Sequence, residues 1–371
     1  MAPKALLIAG EASGDLYGSV LVKELKAQLP HCEYWAYGGK KMEAAGANLA
    51  YNLVDEAVIG IYEALARLPR YYGIWQDLKE FLRRERPSPV ILIDYPGFNV
   101  RAARFARSLG LKTIYYIPPK VWVWKRGRAK TMAEVSDLIV TIFPFEPPLY
   151  KEYEGNAVYC GHPLVDLVPQ GQKAPSENLV ALLPGSREQE INRMLPRFLK
   201  AAQIIKDKRP TTTFALPRAH TVPLPLLQKH LAEHKGLEVN IVDDDTAAVL
   251  SQSRAAIATS GTVTLEAAIL GTPMVISYAV NMLSALVFHI CVRNDHVGLP
   301  NIVANRQVCP ELLQGAGTPE ALAKELLPLI DDGPSRQAQI EGLAQVKSLL
   351  GSSGSMRRIV DVMKPYFSEG E

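Results

Sequence analysis

The stretch LLIAGEASGDLYG, Leu6–Gly18, passes from an apolar run into a glycine-spaced loop and then into a helical pattern. That order is the strand–loop–helix joint of an α/β protein, a place where a phosphate commonly sits. The loop therefore holds either a nucleotide or another ligand.

The pattern recurs along the chain. KALLIAG, PVILIDYP, KTIYYIPP, DLIVTIFPF and AVYCGHP are short apolar runs bounded by turn residues. Helical stretches such as GSVLVKELKAQL and VRAARFARSLG separate them. Near-continuous apolar strands alternating with helices belong to a parallel sheet covered on both faces. Val168–Asn178, VPQGQKAPSEN, has the polar, Pro- and Gly-rich character of an interdomain linker. Beyond it the pattern restarts with LVALLPGSREQEI, TTTFALP, LEVNIVDDD, AAIATSGTVTLEAAILG and PMVISYA, and from about Thr318 it is helical only. The expected architecture is α/β: two Rossmann-like doubly wound domains facing a cleft, residues 1–168 and 169–371, with a helical C-terminal tail. The tail helices either cross back to the first domain or pair with a second chain as a homodimer.

The sequence has 371 residues, a charged fraction of 21%, a hydrophobic fraction of 48% and a formal net charge of +3. A chain of this size buries a sizeable core without staples. The small net charge and the lack of a basic arm argue against nucleic acid as a partner. Its four cysteines lie far apart, so neither a zinc site nor a disulfide framework is expected. No HExxH, CxxC or paired DxD falls in a cleft position, so no metal is expected. Without G-x-G-x-x-G a nicotinamide or flavin cofactor is disfavoured, and no cofactor is expected. The apolar run in MAPKALLIAGEASGD is too short for a signal peptide. AVNMLSALVFHICV is interrupted by His289 and followed by Arg293 and Asp295, which argues against a membrane span. A cytoplasmic location is expected, with a membrane surface left open.

Ligands in doubly wound sheets bind at the carboxyl ends of strands, so the loops there hold the candidate residues. In TSGTVTLEAAILGTPMV, Thr259–Val275, a strand ends at Ser260-Gly261-Thr262 and a helix starts at once. Gly261 lets backbone amides approach an anion, and Ser260 or Thr262 can bond a phosphate oxygen or cap the helix. Glu266, one turn on, can face the same ligand, where a carboxylate suits two ribose hydroxyls. A plain strand–cap–helix joint with a surface glutamate fits equally well. In LLPGSREQEINRMLP, Leu182–Pro196, the turn Pro184-Gly185-Ser186 projects Arg187, whose donor fork suits phosphate. Glu188 and Glu190 read as compensation of the helix dipole, and Asp243–Asp245 as a further cap.

ILIDYPGFNVRAA, Ile91–Ala103, sets Asp94 at the carboxyl end of a buried strand. A carboxylate there can accept a proton from a hydroxyl nucleophile, or cap a turn. Asn99 either caps the next helix or bonds a ligand. YYIPPKVWVWKRGR, Tyr115–Arg128, places Trp122 and Trp124 beside Lys125, Arg126 and Arg128. Such a loop suits a sugar or lipid phosphate, or supplies core tryptophans beside solvated charges. In CGHPLVD, His162 either bonds a phosphate or sugar or locks the hinge. The basic amphipathic stretch Ile59–Arg86 either lies on an anionic membrane surface or packs on the sheet by its apolar face.

GEASGD, IDYPGFN, VWVWK, FPFE, GHP, LLPGSREQEI, SGTVTLE, PMVISY, LPNIVANR and PELLQ occur in this order, and together they resemble the lipid-A-disaccharide synthase family of GT-B-type glycosyltransferases. The resemblance spans Leu7 to about Gln314. Many members carry Asp where Gly97 stands, and Ser-Pro-Gln where Pro118-Pro119-Lys120 stands. The resemblance implies inverting transfer of 2,3-diacylglucosamine from UDP-2,3-diacylglucosamine to the 6-hydroxyl of 2,3-diacylglucosamine 1-phosphate. It implies Asp94 as the base, and Arg187, Ser186, Ser260, Gly261, Thr262, Glu266 and Asn301 on the UDP-sugar donor. Because both substrates carry acyl chains, it favours the membrane reading of Ile59–Arg86, with the enzyme peripheral on the cytoplasmic face of the inner membrane of a Gram-negative-type bacterium. With the nucleotide assigned to the second domain, the opening loop moves to the acceptor. Glu11, Ser13, Gly14 and Asp15 then join Asn99, Trp122, Lys125 and His162 on the acceptor side. There Ser13 can cap the helix, and Gly14 allows close approach. Two rivals remain: a UDP-sugar transferase or epimerase with a soluble acceptor, and a two-domain protein that closes on a ligand without chemistry.

Overall fold

The computed structural model describes residues 3–56, 68–122, 127–169, 176–234, 236–279 and 296–367. The chain divides into two compact units, Met1–Pro163 with Ser352–Glu371, and Leu164–Gly351. The division falls between Pro163 and Leu164, just ahead of the 168/169 boundary expected from the polar stretch.

The first unit is a seven-stranded parallel sheet in the order β3-β2-β1-β4-β5-β6-β7. Its strands are β1 Lys4–Ala9, β2 Glu33–Gly38, β3 Asn48–Asn52, β4 Val90–Ile93, β5 Thr113–Tyr116, β6 Leu138–Thr141 and β7 Ala157–Tyr159. β4, β5 and β6 are buried along their whole length, as is β1 from Ala5 on. Burial on both faces is why they read as continuous apolar runs. Leu6, Ile8, Leu92, Tyr115 and Ile139 join one core, where each buried aliphatic side chain contributes roughly 1.5–3 kcal/mol. Register brings the strand ends level. Ala9 pairs with Ile93, and Ile93 with Tyr116. Gly10, Asp94 and Ile117 are therefore the first residues past the ladder on three neighbouring strands.

The Leu68–Glu85 helix turns Ile74, Leu78, Phe81 and Leu82 into this core, each at most 5% exposed. Their spacing marks one helical side. For this part of Ile59–Arg86 the membrane reading of the apolar face is corrected, because that face covers the sheet. Residues 57–67 lie outside the described residues.

The second unit is a six-stranded parallel sheet in the order β10-β9-β8-β11-β12-β13. Its strands are β8 Leu179–Leu183, β9 Thr213–Arg218, β10 Val239–Asp243, β11 Ala255–Thr259, β12 Met274–Tyr278 and β13 Glu311–Leu313. Two of the expected tail helices belong here. Pro319–Ile330 packs on the Glu188–Lys208 helix, and Pro334–Leu349 on the Thr262–Leu270 and Leu299–Ala304 helices. The Ser355–Met363 helix instead packs on Ala12–Gln28 in the first unit, with Met356, Ile359, Val360 and Met363 buried. With its two parallel sheets and covering helices the chain has the GT-B architecture.

Candidate functional site

In each sheet the strand order reverses once, between β1 and β4 in the first and between β8 and β11 in the second. Such reversals open a crevice at the carboxyl ends of the strands. The loops singled out in the sequence flank these two points: Gly10–Asp15 and Asp94–Asn99 in one unit, Pro184–Arg187 and Ser260–Glu266 in the other.

In the first unit, Asp94 and Tyr95 both adopt left-handed backbone, each at φ 47°, and Ile117 on the next strand does so at 58°. Left-handed backbone of this kind costs about 1–3 kcal/mol per residue and gathers at working sites. Gly10 lies under the Tyr95 ring, where a Cβ would come within 2.3 Å of ring carbon. The Asp94 carboxyl is half-buried, and its pKa is pushed up to about 6. Burial is the main cause and the Glu11 charge the second, while the Tyr95 amide and the Lys120 ammonium oppose them. A carboxylate so poised suits general-base chemistry near neutral pH.

Several expected acceptor residues have other work. Asp15 is buried, and its carboxylate accepts the amides of Gly39, Lys41 and Met42 at 3.0, 3.0 and 3.1 Å. It thereby caps the Lys40–Ala44 helix and is withdrawn from sugar binding. Gly14 is corrected likewise. A Cβ there would stand 3.2 Å from Ala9 Cβ, so the close approach it permits is that of helix to strand. The Ala12–Gln28 helix starts after Glu11, so Ser13 lies in the first turn and is not the cap. Ser13 and Glu11 are exposed.

Asn99 is fully buried, and its amide donates to the carbonyls of Ile8, Ile93 and Asp94. Its expected ligand contact is corrected to a backbone one. His162 is 1% exposed, with its ring against Phe143 and Tyr17. Burial first, and Lys120 second, push its pKa down to about 3, so the ring is neutral and unsuited to pairing with phosphate. Trp122 is half-buried and donates from Nε1 to Glu146 at 3.0 Å, with its ring edge-on to Phe143 and Phe145. Lys125 lies outside the described residues, as do Trp124 and Arg126.

In the second unit the Glu188–Lys208 helix starts after Arg187, whose side chain is 71% exposed and pairs with Glu190 at 3.5 Å. Glu190 also accepts the Ser186 amide at 3.2 Å, so this glutamate orders the turn as well as facing the dipole. The Thr262–Leu270 helix starts after Gly261 with no side-chain cap; the Thr264 amide turns back to the Gly261 carbonyl at 3.1 Å, and the amides ahead of it are of the kind that suits an anion. Glu266 is half-buried, and burial, then the Asp245 charge, pushes its pKa up to about 6. Ser260 Oγ donates to the Val297 carbonyl at 3.0 Å. Asp245 caps the Thr246–Gln252 helix through the Ala248 amide, as read from the sequence.

Asn301 is fully buried and makes four hydrogen bonds. It donates to Cys309 O and Glu311 Oε1 and accepts the amides of Val308 and Cys309, at 2.6–2.8 Å. Its expected approach to the donor is corrected, because every polar atom of its side chain is used. Glu311 in turn accepts the amides of Val297 and Gly298 at 2.9 Å. Asn301 thus supports the segment that holds Ser260.

The family model for lipid-A-disaccharide synthetase matches residues 5–359. A lipid-A-disaccharide synthase from Syntrophus aciditrophicus (strain SB) is 38% identical over 364 residues, 95% of each chain. The chain belongs to the lipid-A-disaccharide synthase family. Family members are glycosyltransferases, and the family's reaction joins a UDP-sugar donor to a sugar acceptor. Two solved structures share the fold at low identity. A putative UDP-N-acetylglucosamine 2-epimerase from Listeria monocytogenes has a TM-score of 0.70 at 15% identity, covering 100% of this chain and 98% of its own. The glycotransferase of kitacinnamycin has a TM-score of 0.68 at 17% identity, covering 99% and 100%. The epimerase rival therefore shares the architecture, while the sequence sides with the synthase.

Three residues near the Asp94 loop escaped the sequence reading. Glu146, in FPFE, is buried and accepts the Ile142 and Phe143 amides besides Trp122, and burial pushes it up to about 7. Its signal was an acid just past a buried strand. Lys120 is exposed and acts electrostatically on Asp94, Glu146 and His162. Tyr115 gave no signal, since a tyrosine inside an apolar strand reads as core.

Proposed function

We propose that this member of the lipid-A-disaccharide synthase family uses Asp94 as the base of an inverting transfer. The carrying observation is the half-buried Asp94 carboxyl, titrating near 6, at the strand-order reversal of the first unit. The acceptor is 2,3-diacylglucosamine 1-phosphate, and its 6-hydroxyl loses a proton to Asp94 as its oxygen bonds the donor anomeric carbon. The bond from that carbon to the UDP phosphate oxygen breaks on the opposite face, and UDP leaves with the electron pair. Arg187 and the amides of Gly261 and Thr262 offset the charge that grows on the phosphates. Glu266 holds the ribose hydroxyls. Glu11 and Trp122 face the acceptor sugar, with Lys120 beside Asp94.

Acyl substrates imply work at a lipid surface. Supporting this reading, Tyr72 and Arg83 are exposed on one side of the Leu68–Glu85 helix, an aromatic and cationic pair suited to anionic lipid, while Arg70 and Arg84 are exposed but paired with Glu56 and Glu85. No described helix is long and apolar enough to cross a membrane.

Incubation with UDP-2,3-diacylglucosamine and the diacyl 1-phosphate acceptor should release UDP and the β-1′,6-linked disaccharide in equal amounts. UDP release without disaccharide, or no turnover by protein that binds UDP, would reject the transfer. Sedimentation with anionic but not neutral vesicles supports the lipid surface, and equal binding to both rejects the electrostatic part.

A further inference from the structure

Asp94 is gripped through its backbone. Its amide donates to Tyr116 O at 3.2 Å, and its carbonyl accepts two side-chain donors, Tyr115 Oη and Asn99 Nδ2, each at 2.8 Å. Both donors are fully buried. Asn99 also reaches Ile93 O at 3.1 Å and Ile8 O at 3.3 Å, so one amide ties β1 to β4 at the point where the strand order reverses. Aspartate tolerates left-handed backbone better than most residues, but a tyrosine ahead of a proline does not, so these donors help to hold the strained pair.

We infer that Tyr115 and Asn99 are positioning residues that hold the Asp94 carbonyl inward and thereby aim its carboxyl outward from the strand end. The inference rests on Asp94 being the base. Carbonyl and side chain leave the same short strained segment, so turning one inward sets the direction of the other. Neither donor touches substrate. The phenol of Tyr115 stays protonated across the working range, because burial and the Asp94 charge raise its pKa well above the ordinary value. Its hydrogen bond is therefore constant while Asp94 titrates.

Tyr115→Phe keeps the ring and removes one donor, and Asn99→Ser shortens the other. The readouts are kcat per UDP-binding site, acceptor KM and the acidic limb of the pH–rate profile. Counting UDP sites corrects for misfolded protein. For Tyr115→Phe the expected result is a kcat lowered about tenfold, as fits the loss of one net hydrogen bond, with acceptor KM unchanged. The acidic limb should move below 6 as the carboxyl gains water. A kcat per site within twofold of the parent, with an unmoved limb, in both variants would overturn the inference. Asp94→Asn separates the two claims. If it is inactive while both positioning variants behave as the parent, the positioning role alone falls. If Asp94→Asn itself turns over normally, the base assignment falls.

Discussion

Glu11 stands just past β1 and Asp94 just past the neighbouring β4, and the Glu11 charge helps burial push the Asp94 carboxyl up to about 6. Lys120, just past β5, pulls the other way.

These opposing neighbours predict opposite shifts. A base must be ionised, so kcat/KM falls as pH drops through the Asp94 pKa. Glu11→Gln removes a charge that disfavours ionisation, and the acidic limb should move to lower pH. Lys120→Met removes a charge that favours ionisation, and the limb should move higher. Shifts of the same sign in both variants would contradict the assignment of the limb to Asp94.

Glu266 is predicted to act through the ribose. Glu266→Gln should weaken UDP binding roughly 10–100-fold, the worth of hydrogen bonds to a charged group. The same change should weaken 2′-deoxy-UDP far less. Calorimetry with both nucleotides decides this, and an equal loss for both would remove Glu266 from the ribose.

Asn301→Ala should destabilise the chain by about 3 kcal/mol, since four buried hydrogen bonds go at once. UDP affinity should fall as well, through the Val297 carbonyl that holds Ser260. Urea unfolding followed by circular dichroism, which reads the second unit as well as the first, with UDP titration, measures both. An unchanged midpoint would contradict the buried network.

His162 makes stability pH-dependent. Burial depresses its pKa from 6.5 to about 3 in the folded chain. Above 6.5 neither folded nor unfolded chain protonates it. Between 6.5 and about 3 the unfolded chain takes up a proton that the folded chain refuses, so this contribution to stability is lost as pH falls. His162→Phe keeps a ring against Phe143 and should flatten the loss over that window, as thermal melts at stepped pH would read. The same slope in parent and variant would place the acid sensitivity elsewhere.

The two doubly wound sheets were legible because doubly covered strands must be apolar throughout, and glycine loops must follow them; the strand order, and with it both reversals, came only from the structure. Arg187, Gly261 and Glu266 stand out in the sequence as donor candidates because the chemistry of each fits its place after a strand, and they remain proposals. The sequence could not separate polar residues that face a ligand from those the backbone occupies. Asp15, Asn99 and Asn301 are the residue types of a sugar site, yet each answers buried backbone groups: Asp15 and Asn99 reach segments distant in sequence, and Asn301 the turn that leads into the next strand. Such partners are fixed only once the sheets are assembled. Tyr115 was hidden for the converse reason, since its ring belongs to the core and only its hydroxyl reaches Asp94. The tail divided because Met356, Ile359, Val360 and Met363 form an apolar side matched by a helix of the first unit, a pairing that helical periodicity alone does not name.

The central claim is that Asp94 takes the proton. The most direct test is the rate of disaccharide formation by Asp94→Asn, a near-isosteric change, with UDP binding measured on the same preparation. The account predicts a turnover lower by about 10²–10⁴-fold with UDP affinity retained. Turnover within a few-fold of the parent, with its acidic limb still near 6, would contradict it.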